Sequence, residues 1–323
     1  MKKNLTPHIL KINKKNFKCV IKGEGPLVIL VHGWPETLVS WKNQISFIQN
    51  LGFQVFAFNT RGYGGSYSPQ RIKDYGLKYF MEDILDIIKF LNKENAILIG
   101  HDWGAPICWT TAAYYKEKIS GVIGLSVPFT KRGKVSSTRL WKKLYKNIFF
   151  YQNYFQKLDV PEKELEKDIL VSLKKIYYWC SAEGYFDKIK TSKNLNSGLL
   201  ENIPDPKNKL KWLSEQSLKS MVYDFKQSGF RGSLNRYRAQ EIDWLELKEL
   251  STLQVTPASL FIGGEYDPVR NFIKGYDAYK NAGKYCTNFK GKYIIKNSGH
   301  WVQQEKPEDV NMIIKDFLQK LKY

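Results

Sequence analysis

The chain has 323 residues, 43% of them hydrophobic and 25% charged, with 51 Lys and Arg against 31 Asp and Glu for a formal net charge of +20. This composition supplies apolar material for a sizeable core, and the length allows one large domain or two ordinary ones. No apolar run approaches the roughly 18 residues of a membrane span, and Cys19, Cys108, Cys180 and Cys286 lack the paired spacing of a zinc site or a disulfide framework, so they read as reduced thiols of a cytoplasmic protein.

The opening, MKKNLTPHILKINKKNFKCV, is basic but has no apolar h-region, so it reads as charged surface and a first strand, not a signal peptide. HILKINKKNFKCVIKGEG holds two short alternating runs that suit an antiparallel pair at a sheet edge. GPLVILVHG, GFQVFAFNTRGYGGS, NAILIG and ISGVIGLSVP are apolar strands, the first two ending in glycine-rich loops. Between them, LKYFMEDILDIIKFLN places Phe80, Ile84, Ile87, Ile88 and Leu91 on one helical face, and APICWTTAAYYKEK is also helical. Buried strands alternating with helices mean a largely parallel sheet covered on both faces. From about Phe129 to about Trp244 the pattern turns aromatic and helical, without buried strands. Strands return at TPASLFIGG and GKYIIKNSGH, and the chain closes with the amphipathic helix PEDVNMIIKDFLQKLK, with Pro307 near its start. The expected organisation is an α/β core of residues 1–128 and 246–323, interrupted by a helical lid, residues 129–245. Such an insertion sits over the carboxyl ends of the strands, where open α/β sheets bind ligands.

The surplus of positive charge raises nucleic-acid or membrane-surface binding. The lysines, however, are spread through KDYGLKYF, TKRGKVSSTRLWKKLYK and PEKELEKDILVSLKK, with acids mixed into the last, and no nucleic-acid motif accompanies them. A solvated lysine surface with no nucleic-acid partner is the expectation, leaving a weak attraction to anionic surfaces at low salt.

The stretch that carries chemistry is AILIGHDWGAPICW. Gly100-His101-Asp102-Trp103-Gly104 has the G-x-nucleophile-x-G form of a strand–turn–helix elbow, with an apolar strand before it and a helix after it. An ordinary helix N-cap would explain Asp102 but neither glycine. A nucleophile here needs a base, an orienting acid and an oxyanion site. Four histidines compete for the base. His8 lies in the amino-terminal strand, His32 opens the HGWP turn where it suits bonding to loop backbone, and His101 points away from the nucleophile's side. His300, in NSGHWVQQEKPE between the last strand and the last helix, is where a general base belongs. SLFIGGEYDPV offers Asp267 as the acid, with Glu265 in reserve. The N–H groups of Trp34 and Trp103 suit an oxyanion hole.

An aspartate in place of serine changes the chemistry. A carboxylate attacks esters poorly but displaces at saturated carbon, giving an alkyl ester that activated water then cleaves. Epoxides and alkyl halides are suitable electrophiles. An epoxide oxygen leaves as a tethered alkoxide and needs a donor such as a tyrosine phenol, whereas a halide needs N–H groups to hold it.

Taken together, HGWPET, RGYGGSYSP, GHDWGAPICW, FYQNYFQ, RGSLNRYR, GGEYDPV and SGHWVQQEKPE, spread in order over nearly the whole chain, resemble the soluble-type epoxide hydrolases of the α/β-hydrolase fold. The resemblance implies a helical cap over a mostly parallel sheet, with Asp102 as nucleophile, Asp267 and His300 as the charge-relay pair, and Trp34 and Trp103 as oxyanion donors. It further implies Tyr151 and Tyr237 as cap tyrosines that polarise the epoxide, Tyr154 being a near alternative to Tyr151. No cofactor and no metal are implied, and neither is the phosphatase-like domain that some family members carry. A small apolar epoxide is the implied substrate, against Phe149, Phe155 and Trp301, with Trp141 and Phe150 as further lid aromatics. A homodimer is compatible with this family. Related haloalkane dehalogenases often have Asn where Trp34 stands, and fluoroacetate dehalogenases have Arg where Trp103 stands. A dehalogenase is thus the alternative enzyme. A catalytically silent member used for binding is the alternative of another class, against which the retention of Asp102, Asp267 and His300 argues.

Overall fold

A computed structural model describes residues 5–206 and 208–321. Its eight strands form one sheet: β1 (His8–Ile12), β2 (Lys15–Lys22), β3 (Leu27–Val31), β4 (Gln54–Phe58), β5 (Ala96–His101), β6 (Ile119–Leu125), β7 (Ala258–Gly264) and β8 (Phe289–Ile295). Their order is β1-β2-β4-β3-β5-β6-β7-β8. The β1–β2 and β2–β4 pairs are antiparallel, and all others are parallel. The two-residue turn joining β1 to β2 puts Asn13 and Lys14 at positive φ, as the twist of a tight hairpin requires. The far edge strand β8 carries Lys290 and Lys292, charges that discourage edge-to-edge pairing.

Every residue of β3 and of β5 is buried, because both faces of the sheet are covered. Leu27, Ile29 and Val31 point to one face and pack with Phe80, Ile84, Ile87 and Ile88 of α2 (Leu77–Phe90). Val28 and Leu30 point to the other and join Ile45 and Ile48 of α1 (Lys42–Asn50) and Val310, Ile314 and Phe317 of the carboxy-terminal helix Pro307–Lys320. This alternation is the period-two pattern of a strand buried on both sides. Helix α3 (Gly104–Tyr114) has no polar face; it is buried nearly all round, being wedged between the sheet and α2.

Between β6 and β7, among the described residues, there are helices and no strand. They are α4 (Ser137–Leu144), α5 (Tyr151–Tyr154), α6 (Val160–Lys167), α7 (Ile169–Trp179), α8 (Ala182–Phe186), α9 (Glu215–Ser228), α10 (Arg231–Arg238) and α11 (Gln240–Glu246). Side-chain caps start several of them: Asp168 accepts from the Val171 N–H, Ser181 from Gly184 and Ser214 from Ser217. Their apolar faces meet Trp34 and Tyr63, from the loops after β3 and β4, in a third core that includes Phe155, Leu173, Ile176, Tyr177, Phe225, Leu234, Tyr237 and Trp301. After β8 come the short helix α12 (Val302–Glu305) and the long helix α13 (Pro307–Lys320). Among the described residues no helix is long and apolar enough to cross a membrane.

Candidate active site

Asp102 stands between β5 and α3 at φ +49°, a left-handed conformation rare for a residue with a side chain. The surrounding glycines make this turn feasible. A Cβ on Gly100 would lie 2.2 Å from the Gly104 carbonyl oxygen, and one on Gly104 would lie 2.0 Å from the Val31 carbonyl oxygen. A Cβ on Gly33 would lie 2.3 Å from Cβ of Asp102 itself. Backbone cannot yield as a flexible side chain does. Gly104→Ala is therefore expected to destabilise the protein by about 1–3 kcal/mol, the usual cost of overpacking. Chemical denaturation measures this, and an unchanged midpoint would show that α3 can back away from β3.

The Asp102 carboxylate faces two groups. Its Oδ1 accepts the Trp34 N–H at 2.8 Å, and its Oδ2 lies 3.5 Å from Nε2 of His300. The Trp103 N–H follows Asp102 directly, at the amino end of α3. Nδ1 of His300 lies 3.0 and 3.1 Å from the two oxygens of Asp267. Asp267 is buried but well supplied with donors: the Val269 N–H at 2.9 Å, the Tyr279 hydroxyl at 2.6 Å and the Ser126 hydroxyl. Ser126 Oγ is also 2.8 Å from Nδ1 of His300.

This arrangement sets the protonation states. Burial alone would lower the His300 imidazole, but Asp267 and Asp102 outweigh it and hold it well above its usual value. Burial alone would raise Asp267, yet the charge of His300 and the donated hydrogen bonds hold it below the usual carboxylate range. Because Asp102 contributes to the upward shift of His300, Asp102→Asn should lower the His300 pKa. NMR titration of the imidazole measures this, and an unmoved pKa would mean that the two side chains are not coupled.

The other histidines are placed elsewhere. Nε2 of His8 is 3.8 Å from Sγ of Cys19. His32 bonds backbone at Gly33 and Thr60, and burial lowers it to about 4. His101 spans Oε2 of Glu36 at 2.7 Å and the carbonyl of His300 at 2.8 Å, so it braces the histidine loop without reaching Asp102. Glu265 accepts from the Asn297 N–H and makes no bond to His300.

A cleft with about 360 Å³ of space free of atoms, open solvent included, is lined by Asp102, His300 and Trp34 together with Tyr151 and Tyr237. The two phenol rings meet edge to face, with centroids 5.9 Å apart. Tyr237 is fixed by its neighbours in the NRYR stretch. Arg238 forms a two-pronged pair with Glu162 at 2.7 and 3.0 Å, while Arg236 pairs with Asp243 and lies over the Trp103 ring. Tyr151 opens α5, and its hydroxyl accepts from Gln152. Burial, together with the nearby Asp102 charge, pushes both phenols well above their usual value, so both carry a proton at neutral pH. Tyr154 donates instead to Glu164 and does not line the cleft.

The expected substrate contacts need correction. Of Phe149, Phe155 and Trp301, only Trp301 lines the cleft. Phe155 is fully buried behind the wall, packed on Trp34, Tyr151 and Tyr237, and Phe149 packs on Tyr154. The apolar wall comes from Ile176, Trp179, Val269 and Phe272. Sequence reasoning also misses Ser126, Tyr279 and Glu36. Ser126 carries one signal, its place directly after β6, the strand beside the elbow strand. Glu36 lies in the HGWPE turn beside His32 and Trp34; it accepts from Gly33, Gln303 and Gln304 as well as facing His101.

An elbow aspartate, a histidine–aspartate pair beyond the last two strands and a helical layer over the strand ends define a hydrolase of the α/β class, and comparison with known proteins agrees. The α/β hydrolase fold family matches residues 26–307. Epoxide hydrolase B of Mycobacterium tuberculosis is 32% identical, over 91% of this chain and 92% of its own. Epoxide hydrolase A of the same organism is 30% identical, over 97% of each chain. The crystal structure of epoxide hydrolase A from Mycobacterium thermoresistibile superposes with a TM-score of 0.91 at 31% identity, over 99% of both chains. The chain belongs to the epoxide hydrolases of the α/β-hydrolase fold.

Proposed function

We propose that this protein converts an epoxide and water to a vicinal diol through an alkyl ester on Asp102, without a cofactor. The observation that carries the reading is that two protonated phenols, Tyr151 and Tyr237, line the same cleft as Asp102 and His300. An Asp102 oxygen attacks one epoxide carbon, the carbon–oxygen bond breaks, and the alkoxide takes a proton from a tyrosine. The attack neutralises Asp102, which removes one of the two charges that raise His300. The imidazolium thereby releases its proton to solvent, to be regained when Asp102 is ionised again, and is a free base when a base is needed. His300 takes a proton from water, and the resulting hydroxide attacks Cγ of Asp102. The charge that develops falls to the N–H groups of Trp34 and Trp103. The acyl–oxygen bond breaks, His300 returns its proton to the departing diol, and the remaining proton of the water restores the tyrosine.

Supporting this reading are the epoxide hydrolases among the relatives and the donor-rich setting of Asp267. Residues 129–245 act as the cap and residues 1–128 and 246–323 as the catalytic core. The substrate is small and apolar, matched to the wall of Ile176, Trp179, Phe272 and Trp301. A cytoplasmic protein with four reduced thiols, compatible with a homodimer and without a nucleic-acid partner, completes the reading. One observation favours a haloalkane dehalogenase instead: the buried indole N–H of Trp34, in the cleft wall, has no partner among the described residues. Turnover of styrene oxide and of 1-bromobutane, with Asp102→Asn as control, separates the two. Diol from the epoxide alone is the expected result, and bromide release alone would overturn it.

A further inference from the structure

The lid meets the core along a short seam at His300. Three successive N–H groups of the histidine loop are all fixed there. The Gly299 N–H donates to Oε2 of Glu305 at 3.0 Å, that of His300 to the Cys180 carbonyl at 2.8 Å, and that of Trp301 to Oε1 of Glu305 at 3.1 Å. Oε2 of Glu305 also accepts the Ala182 N–H at 3.0 Å, from the first residue of lid helix α8. The two backbones approach so closely that a Cβ on Gly299 would lie 2.5 Å from the Cys180 carbonyl oxygen. One half-buried carboxylate thus holds the peptide groups on both sides of His300 and the lid at once. Asp267 orients the imidazole ring, but nothing in that pair fixes the backbone from which the ring projects.

We infer that Glu305 is a positioning residue for the water-activating half of the reaction, and that through it the lid segment Cys180–Ala182 holds His300 in place. The inference rests on the proposed epoxide-hydrolase reading. Its consequence is selective. Alkylation of Asp102 needs the carboxylate and the tyrosines, and none of these is held by Glu305. Ester hydrolysis needs Nε2 of His300 aimed at a water beside Cγ of Asp102. A displacement of about 1 Å there costs about 10²-fold.

Glu305→Gln keeps the volume but turns one acceptor oxygen into an N–H donor, which then faces backbone donors. Rapid-mix single turnover with styrene oxide, read by intact-protein mass, measures ester formation and ester decay separately. The expected result is decay slowed about 10²-fold with formation little changed, so that ester accumulates. Ala182→Pro removes the lid's donor and sets a ring carbon where that N–H met Oε2 of Glu305, so it breaks the seam from the lid side. Ser181, at φ −81° and ψ 169°, has the extended backbone that a residue before proline adopts, and a first helical position accepts proline. It should slow decay in the same way, and it decides the matter if Glu305→Gln does not fold, as checked by thermal melting. Decay at the wild-type rate, or equal losses in both half-reactions, would overturn the inference. Absence of epoxide turnover by the wild-type protein would overturn the functional reading beneath it.

Discussion

Tyr151→Phe combined with Tyr237→Phe should abolish measurable epoxide opening and leave the protein folded. The ring contacts explain the second half of that statement. Tyr151 packs on Phe155, Trp179 and Phe272, and Tyr237 packs on Trp34, Trp103 and Phe155, all with ring centroids within 6.0 Å. Phenylalanine keeps every one of these contacts. The hydroxyls themselves are lightly bonded, that of Tyr151 accepting from Gln152, so the loss in stability should be about 1 kcal/mol for each. The chemical loss is far larger. A strained ring opens readily only if its oxygen is protonated or strongly hydrogen-bonded as the bond breaks, and a positioned acid is worth about 10²–10⁴-fold. Each single variant should retain some turnover through the remaining phenol. Diol formation alongside a thermal melt checks this, and near-normal turnover in the folded double variant would show that neither phenol donates.

His300→Gln should trap the ester on Asp102. The carboxylate is itself the nucleophile, held by the Trp34 N–H, and needs no base to attack. Hydrolysis needs a base, and glutamine has none. Loss of general-base catalysis slows that step by about 10²–10⁴-fold while the first step proceeds. Intact-protein mass after mixing with styrene oxide should show the protein plus one substrate. No adduct in the variant, with normal turnover in the wild type, would contradict this division of roles. The pH dependence has a matching sign. In the wild type the hydrolytic step should fade as pH drops through the His300 pKa of the ester form, because a protonated imidazole cannot accept the proton of water.

Local features of this fold are legible in the sequence, and long-range ones are not. The elbow is legible because glycine spacing and a strand–helix change are contained within fourteen residues, Ala96–Trp109. The sheet is legible because unbroken runs such as LVILV admit few structures other than a strand buried on both faces. His300 emerges because the chain has only 4 histidines. Ser126, by contrast, reaches Asp267 only because the sheet order sets β6 beside β7, and Tyr279 only because the chain after β7 folds back on itself, and one serine or tyrosine among many carries no local mark. The cleft wall fails for a related reason. Phe149 and Phe155 have the composition of a lining, but which aromatic residues face a cavity and which back it depends on how α5 and α7 pack, not on residue type. The seam at Glu305 is equally hidden, since its lid bond joins a Glu305 oxygen to the Ala182 N–H, 123 residues away.

The covalent ester is best tested by a single turnover in heavy-oxygen water with the enzyme in excess over styrene oxide. If Asp102 is the nucleophile, the diol receives its new oxygen from the Asp102 carboxylate, and the oxygen of water remains on the protein. The expected result is an unlabelled diol and a heavy-oxygen label in the peptide that contains Asp102. A labelled diol with an unlabelled Asp102 peptide would mean that water attacks the epoxide directly, and the aspartyl ester would be excluded.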